Sequence, residues 1–194
     1  MFKRRPKVMI EADQVTLRMP EMGDHHAWVR LRRDGADFLK PWEPIWAPDH
    51  FSKRAFSNRV FWSRKIYDAG RGVPLFIVRR DDQALLGAIT LDNIRRGPSM
   101  SGALGYWIGA DFARKGYMSV AIQSIVHYAF YQMDISRVEA ATLPENAASR
   151  GLLEKTGFKY EGVAQSYLQI AGRWRTHVLY SNLRGDRRGK TGVG

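Results

Sequence analysis

The chain has no cysteine among its 194 residues. That excludes disulfides, thiolate-held metals and a cysteine acyl-enzyme. Histidine is sparse too, with five residues scattered along the chain. The adjacent pair His25 and His26 lacks the i, i+4 spacing that turns two imidazoles onto one ion, so no metal is expected. No stretch approaches the ~18 consecutive apolar residues needed to cross a bilayer, and no membrane partner is expected. Met1 to Lys7 is basic but has no apolar segment behind it, unlike a secretory leader, and a cytoplasmic location is the expectation.

Acidic residues are in short supply. Asp and Glu number 19 against 31 Lys and Arg, a net charge of +12. Such a chain is drawn to polyanions. Two readings stay open: weak association with an RNA-rich target together with steering of a polyphosphorylated ligand, or a generally basic surface with no dedicated groove. Much of the excess lies at the ends, from Lys3 to Lys7 and from Arg184 to Lys190, the latter among Gly185, Gly189, Gly192 and Gly194. Residues 1–10 read as a basic arm, 11–183 as one domain, and 184–194 as a basic, Gly-rich flexible tail.

Within the domain, helical and strand patterns alternate and no repeat or linker interrupts them, which predicts one α/β unit around a mixed sheet. Gln14 to Met19 predicts a strand with Val15, Leu17 and Met19 on one face. Pro20 to Arg33 and Phe51 to Tyr67 predict helices, separated by a segment that Pro41, Pro44 and Pro48 keep irregular. Val73 to Val78 and Leu85 to Leu91 predict a hairpin across Asp81-Asp82-Gln83. Val163 to Ile170 and Arg173 to Asn182 predict a second one about Ala171-Gly172.

Two segments point to chemistry. In the first, an apolar strand ends near Ile108, a turn holds Arg114, Lys115 and Gly116, and a helix follows with Met118, Ala121, Ile122, Ile125 and Ala129 at buried-stripe spacing. Strand, small basic turn and helix N-terminus together make a phosphate-binding geometry, because free amides and the positive end of the dipole face the anion. Gly116 is read as letting the backbone approach its ligand closely. The same residues also suit plain turning and solubility. In the second segment, a strand from Val138 to Leu143 leads to Asn146, a good N-cap, then a helix from Ala147 to Thr156 that Gly157 ends in the left-handed conformation.

In that order, the segments Ala113-Arg114-Lys115-Gly116-Tyr117-Met118, Asn146-x-x-Ser149 and Leu152-Leu153-Glu154-Lys155-x-Gly157-Phe158 resemble the GCN5-related N-acetyltransferase (GNAT) superfamily. Phe38-Leu39-Lys40-Pro41-Trp42-Glu43-Pro44, Leu104-Gly105-Tyr106 and Tyr167 to Leu179 extend the likeness to bacterial ribosomal-protein-alanine N-acetyltransferases, over about residues 11 to 183. The resemblance implies a mixed, largely antiparallel twisted sheet flanked by helices, with acetyl-CoA in the splay between two central parallel strands. It also implies direct acetyl transfer to a primary amine, the N-terminal α-amino group of a ribosomal protein foremost. A small amine as acceptor and a non-catalytic RNA-associated module are the alternatives.

Site residues follow from the same likeness. Arg114, Lys115, Gly116, Tyr117, Met118 and Ser119 would hold the CoA diphosphate, with Tyr106, Trp107, Ile108, Asn146 and Ser149 along the rest of the cofactor. A backbone amide near Tyr106 to Ile108 would steady the oxyanion. Ser149 is implied as proton donor to the leaving thiolate, with Tyr167 as second candidate; as an N3 helix residue Ser149 equally suits a bond within its own turn alone. Ala113 stands where the family has Gln or Arg. Ser166 stands where relatives tend to carry Asp or Glu, which leaves the base to Ser166 through a water, or to Glu139 or His177. Trp42 and Trp46 wall the acceptor site or cap the core, and Trp174 joins Tyr167 as a substrate-side candidate.

Overall fold

The unbroken apolar run from Val73 to Val78 becomes, with Arg79, a central strand buried on both faces, β3 (Val73–Arg79). Val73, Leu75 and Ile77 point into one core and Phe76 and Val78 into another, the alternation a strand imposes. The computed structural model describes residues 9–185, so of the arm expected at 1–10 and the tail expected at 184–194, residues 1–8 and 186–194 lie outside the described residues. Before β3 come β1 (Met9–Glu11), β2 (Val15–Arg18), α1 (His25–Asp34), α2 (Ala36–Leu39) and α3 (Lys53–Asp68). After it come β4 (Leu85–Arg95), β5 (Ser101–Ile108), α4 (Tyr117–Tyr131), β6 (Arg137–Thr142), α5 (Ala147–Lys155), β7 (Lys159–Ile170) and β8 (Arg173–Leu183).

The eight strands form one sheet in the order β1-β2-β3-β4-β5-β6-β8-β7. Every neighbouring pair is antiparallel except β5 and β6, so the mixed, largely antiparallel expectation holds. The larger core lies under α4, where Met118, Ala121, Ile122, Ile125, Val126, Ala129 and Phe130 are buried against the sheet. Each fully buried Ile there contributes about 1.5–3 kcal/mol over leaving it exposed. The smaller core joins Trp28 of α1 and Phe56 and Val60 of α3 to Phe76, Val78 and Leu85 on the opposite face. Among the described residues no helix is long and apolar enough to cross a membrane.

Two boundaries differ from the sequence reading. Ile10 pairs with Leu17, so β1 draws residues 9 and 10 out of the segment read as an arm and into the sheet. At the other end, Arg184 donates to the carbonyl of Phe130 at 3.0 Å and to Asp134 at 2.6 Å, which anchors the first residue of the segment read as a tail. The Pro-rich stretch also contains more order than expected: α2 and a short 3₁₀ turn, Lys40–Trp42, precede its irregular part.

Candidate active site

The approach to α4 turns on two left-handed residues, Arg114 at φ +60° and Gly116 at φ +88°. Gly116 is the N-cap and brings no side chain to the helix end. Val120 is the amide that bonds back to the Gly116 carbonyl, so those of Tyr117, Met118 and Ser119 remain as the donors an α-helix leaves at its start. A Cβ on Gly116 would meet nothing within 4 Å, so no protein neighbour crowds the turn. Within the protein it is the left-handed φ that calls for glycine here. Three amides, the positive helix end and the basic Arg114 and Lys115 make donor chemistry suited to a diphosphate.

The gap beside this helix arises from strand pairing that stops early. β5 and β6 are paired from Ser101↔Arg137 to Leu104↔Ala140, while β5 runs on to Ile108 and β6 to Thr142. The amide of Gly109 donates to Leu86 on β4 at 2.8 Å. By strand alternation the amides of Tyr106 and Ile108 face the other way, toward β6 and the gap. The Tyr106 and Ile108 side chains lean toward the larger core and that of Trp107 toward the smaller one.

Across the gap, α5 opens as its sequence predicts. The Asn146 side chain accepts from the Ser149 amide at 3.0 Å, and Gly157 ends the helix at φ +91°. Ser149 Oγ does not merely bond its own turn: it lies 2.8 Å from the hydroxyl of Tyr106. Burial pushes that phenol up to about 12, against a small opposing effect of the bond to Ser149. Arg150 of the same helix donates to the carbonyl of Pro144 and to Tyr180, and Tyr180 donates to Glu154, which pins α5 to β8.

The last hairpin supplies a second group. Pairing of β7 with β8 shifts between Ala164 and Leu168, and Ser166, exposed at φ +48°, sits in the resulting bulge. Tyr167 is half-exposed and meets the His177 ring edge-on at 5.8 Å. His177 is itself buried, and its Nδ1 donates to the carbonyl of Arg175 at 2.9 Å. A carbonyl only accepts, so Nδ1 carries the proton and Nε2 keeps its lone pair in the neutral ring. His177 lies one residue beyond the Thr142↔Val178 pair, where β6 ends and the gap opens. Arg175 also pairs with Glu145, whose carboxyl is held below its ordinary range by its own backbone amide and by Arg175. Glu139 is bound by Arg95 and Arg137. Trp174 stands out in solvent, 62% exposed, away from His177 by alternation.

Sequence reasoning missed a third group. Arg32 of α1 is only 4% exposed, with its guanidinium 4.6 Å from the ring centre of Trp46 and 4.7 Å from that of Trp107. It forms a two-pronged pair with Glu43 and donates from Nε to His50 Nε2 at 3.1 Å. Trp46 donates to Glu43 at 2.7 Å and stacks on His50, ring centres 4.9 Å apart and 12° from parallel. Burial first, and then Arg32 and Arg59, lower His50 from 6.5 to about 4, so the ring stays neutral and able to accept from Arg32. Trp46 thus serves a charged cluster behind the gap, while Trp42 remains 38% exposed. A buried Arg between Trp residues from a loop and a strand carries no local signal; only the Trp content of the loop hinted at it.

A parallel pair that parts beside an uncapped helix N-terminus, with a hydroxyl pair across the gap, is the arrangement of acetyl-CoA-dependent acyltransferases. The family model described as an acetyltransferase (GNAT) domain matches residues 14–159, and the chain belongs to this family and is an N-acetyltransferase. A [ribosomal protein uS5]-alanine N-acetyltransferase of Escherichia coli is 32% identical over 90% of each chain. Two solved structures share the fold: Mycobacterium smegmatis RimJ in complex with CoA-disulfide and a ribosomal-protein-S5-alanine acetyltransferase of Vibrio fischeri. The first is 28% identical with a TM-score of 0.85 and covers 94% of this chain and 89% of its own. The second is 25% identical with a TM-score of 0.85, covering 94% of this chain and 100% of its own.

Proposed function

We propose that the chain transfers acetyl from acetyl-CoA to the N-terminal α-amino group of a ribosomal protein. The observation that carries the reading is the 32% identity, over nine-tenths of both chains, to an enzyme named as a [ribosomal protein uS5]-alanine N-acetyltransferase. The gap left between β5 and β6 beyond the Leu104↔Ala140 pair supports it, since an extended peptide end can enter between two strands that have parted.

In this reading Arg114 to Ser119 hold the diphosphate, and Asn146 and Ser149 lie along the pantetheine arm. The thioester brings its own competent leaving group, so the protein needs no covalent intermediate. An α-amino group with a pKa of about 7.7–8.0 needs only a modest push to lose its proton. Ser166 offers no group that takes a proton near neutrality, and Glu139 is committed to two arginines. His177, with Nε2 free to accept, takes the amine proton directly or through a water. The amine then attacks the thioester carbonyl, and the amides of Tyr106 and Ile108 donate to the oxyanion. Collapse expels the thiolate toward the Ser149 hydroxyl. Tyr167, beside His177, borders the acceptor.

The test is incubation with acetyl-CoA and peptides beginning with Ala, Ser, Gly or Met, alongside spermidine and an aminoglycoside, followed by mass spectrometry and thiol release. One acetyl on the α-amino group of the Ala or Ser peptides is the expected result. Acetylation of the small amines alone would overturn the reading.

A further inference from the structure

We propose that Tyr106 is the positioning residue for Ser149: its phenol donates to Ser149 Oγ and so aims the serine's own proton into the gap, at the sulfur of the bound thioester. The inference rests on the acetyl-transfer reading above. A serine hydroxyl has one proton and two lone pairs. In the first turn of a helix that proton is easily lost to a nearby backbone carbonyl. Here the side chain is held from two directions. Its amide is fixed by Asn146 Oδ1 at 3.0 Å, and its Oγ lies 2.8 Å from the Tyr106 hydroxyl.

The direction of donation follows from chemistry. Tyr106 is mostly shielded from water, and its phenol stays protonated throughout the range in which an amine acetyltransferase works. Both hydroxyls carry a proton and either can donate; the phenol, the stronger acid, is the better donor, and the aliphatic Ser149 oxygen the better acceptor. With a lone pair of Oγ occupied by the phenol, the serine proton is free for another acceptor. The placement of Tyr106 in the strand adds a second link, since it lies just past Leu104↔Ala140, where pairing ends. One residue then presents its amide to the oxyanion and its hydroxyl to the serine that meets the leaving group. Both functions are registered to the same turn of β5.

The step balances without any other reactant. The amine nitrogen forms the C–N bond, the C–S bond breaks, and its electron pair goes to sulfur. The Ser149 hydroxyl hydrogen-bonds the developing thiolate. The proton finally held by sulfur is the one the amine gave up, so Ser149 and Tyr106 end as they began.

Tyr106→Phe keeps the ring and removes only the hydroxyl. With an N-terminal peptide acceptor, kcat is expected to fall about 10-fold, the size of one lost hydrogen bond, while acceptor KM and CoA affinity hold. In a Ser149→Ala background the same change is expected to cost nothing further, because the two residues act as a unit. A purely structural role would instead give additive losses and weaker CoA binding. A second readout needs no turnover: the ¹³Cζ signal of Tyr106, identified by its loss in Tyr106→Phe. It should move on Ser149→Ala, and it should respond to added CoA in the wild type but not in Ser149→Ala. Unchanged kcat in Tyr106→Phe, additive losses, or a Tyr106 signal indifferent to Ser149→Ala would each overturn the proposal. A wild type that acetylates no amine would contradict the acetyl-transfer reading, and the carbon signal would still decide the pairing.

Discussion

The carbonyl of Glu43 accepts a hydrogen bond from the amide of Ala171 at 2.9 Å, joining the Pro-rich segment after α2 to the tip of the β7–β8 hairpin. The carboxylate of the same residue holds Arg32 and Trp46. Glu43 thus ties together a helix, a loop and a hairpin. Ile45 reinforces the joint, since a Cβ on Gly172 at the hairpin tip would come within 2.8 Å of its Cδ1.

Removing the Glu43 carboxylate should therefore be costly. Glu43→Ala leaves a buried guanidinium unpaired, and breaking a buried pair in this way costs about 3–5 kcal/mol. Urea denaturation should show an unfolding free energy lower by that order, read as a lowered midpoint at unchanged slope. Adding Arg32→Met to Glu43→Ala should restore part of the loss, because no buried charge then remains.

The same cluster gives a pH dependence with a defined sign. His50 takes up its proton near 6.5 in the unfolded chain but near 4 in the folded one. Between those values the unfolded state binds more protons, so stability falls as pH drops through the window and is flat above it with respect to this group. Thermal melts of wild type and His50→Phe from pH 7 to pH 4 check this: the wild type should lose more stability over that interval.

Gly105 bears on the acceptor. It is exposed in a central strand, on the Trp107 side by alternation, and a Cβ there would meet nothing within 4 Å. A bare stretch of strand invites close approach by another chain. Gly105→Val should raise acceptor KM roughly 10- to 100-fold and leave CoA affinity unchanged, as measured by steady-state kinetics and calorimetry.

How much of this was legible in the sequence depends on how local each signal is. The α4 stripe, the Asn146 cap and the Gly157 stop are written within one or two helical turns, and the structure contains all of them. The β5 strand and the basic turn before α4 are equally local. Tyr106 and Ser149 were each singled out, but their bond spans 43 positions and no periodicity announces it. Arg32 looked like one more surface charge on α1, because the residues that bury it come from a loop and from β5. β1 was hidden for a related reason: a three-residue strand is defined by its partner β2 and not by its own pattern.

The central claim is that the opened strand pair and the α4 N-terminus hold acetyl-CoA, and calorimetric titration with CoA tests it most directly. The wild type should bind one CoA per chain. Gly116→Asp, which sets a carboxylate against the diphosphate and strains a backbone at φ +88°, should abolish the binding heat while the protein stays folded by circular dichroism. No CoA binding by the wild type, or equal affinity in the two proteins, would contradict the account.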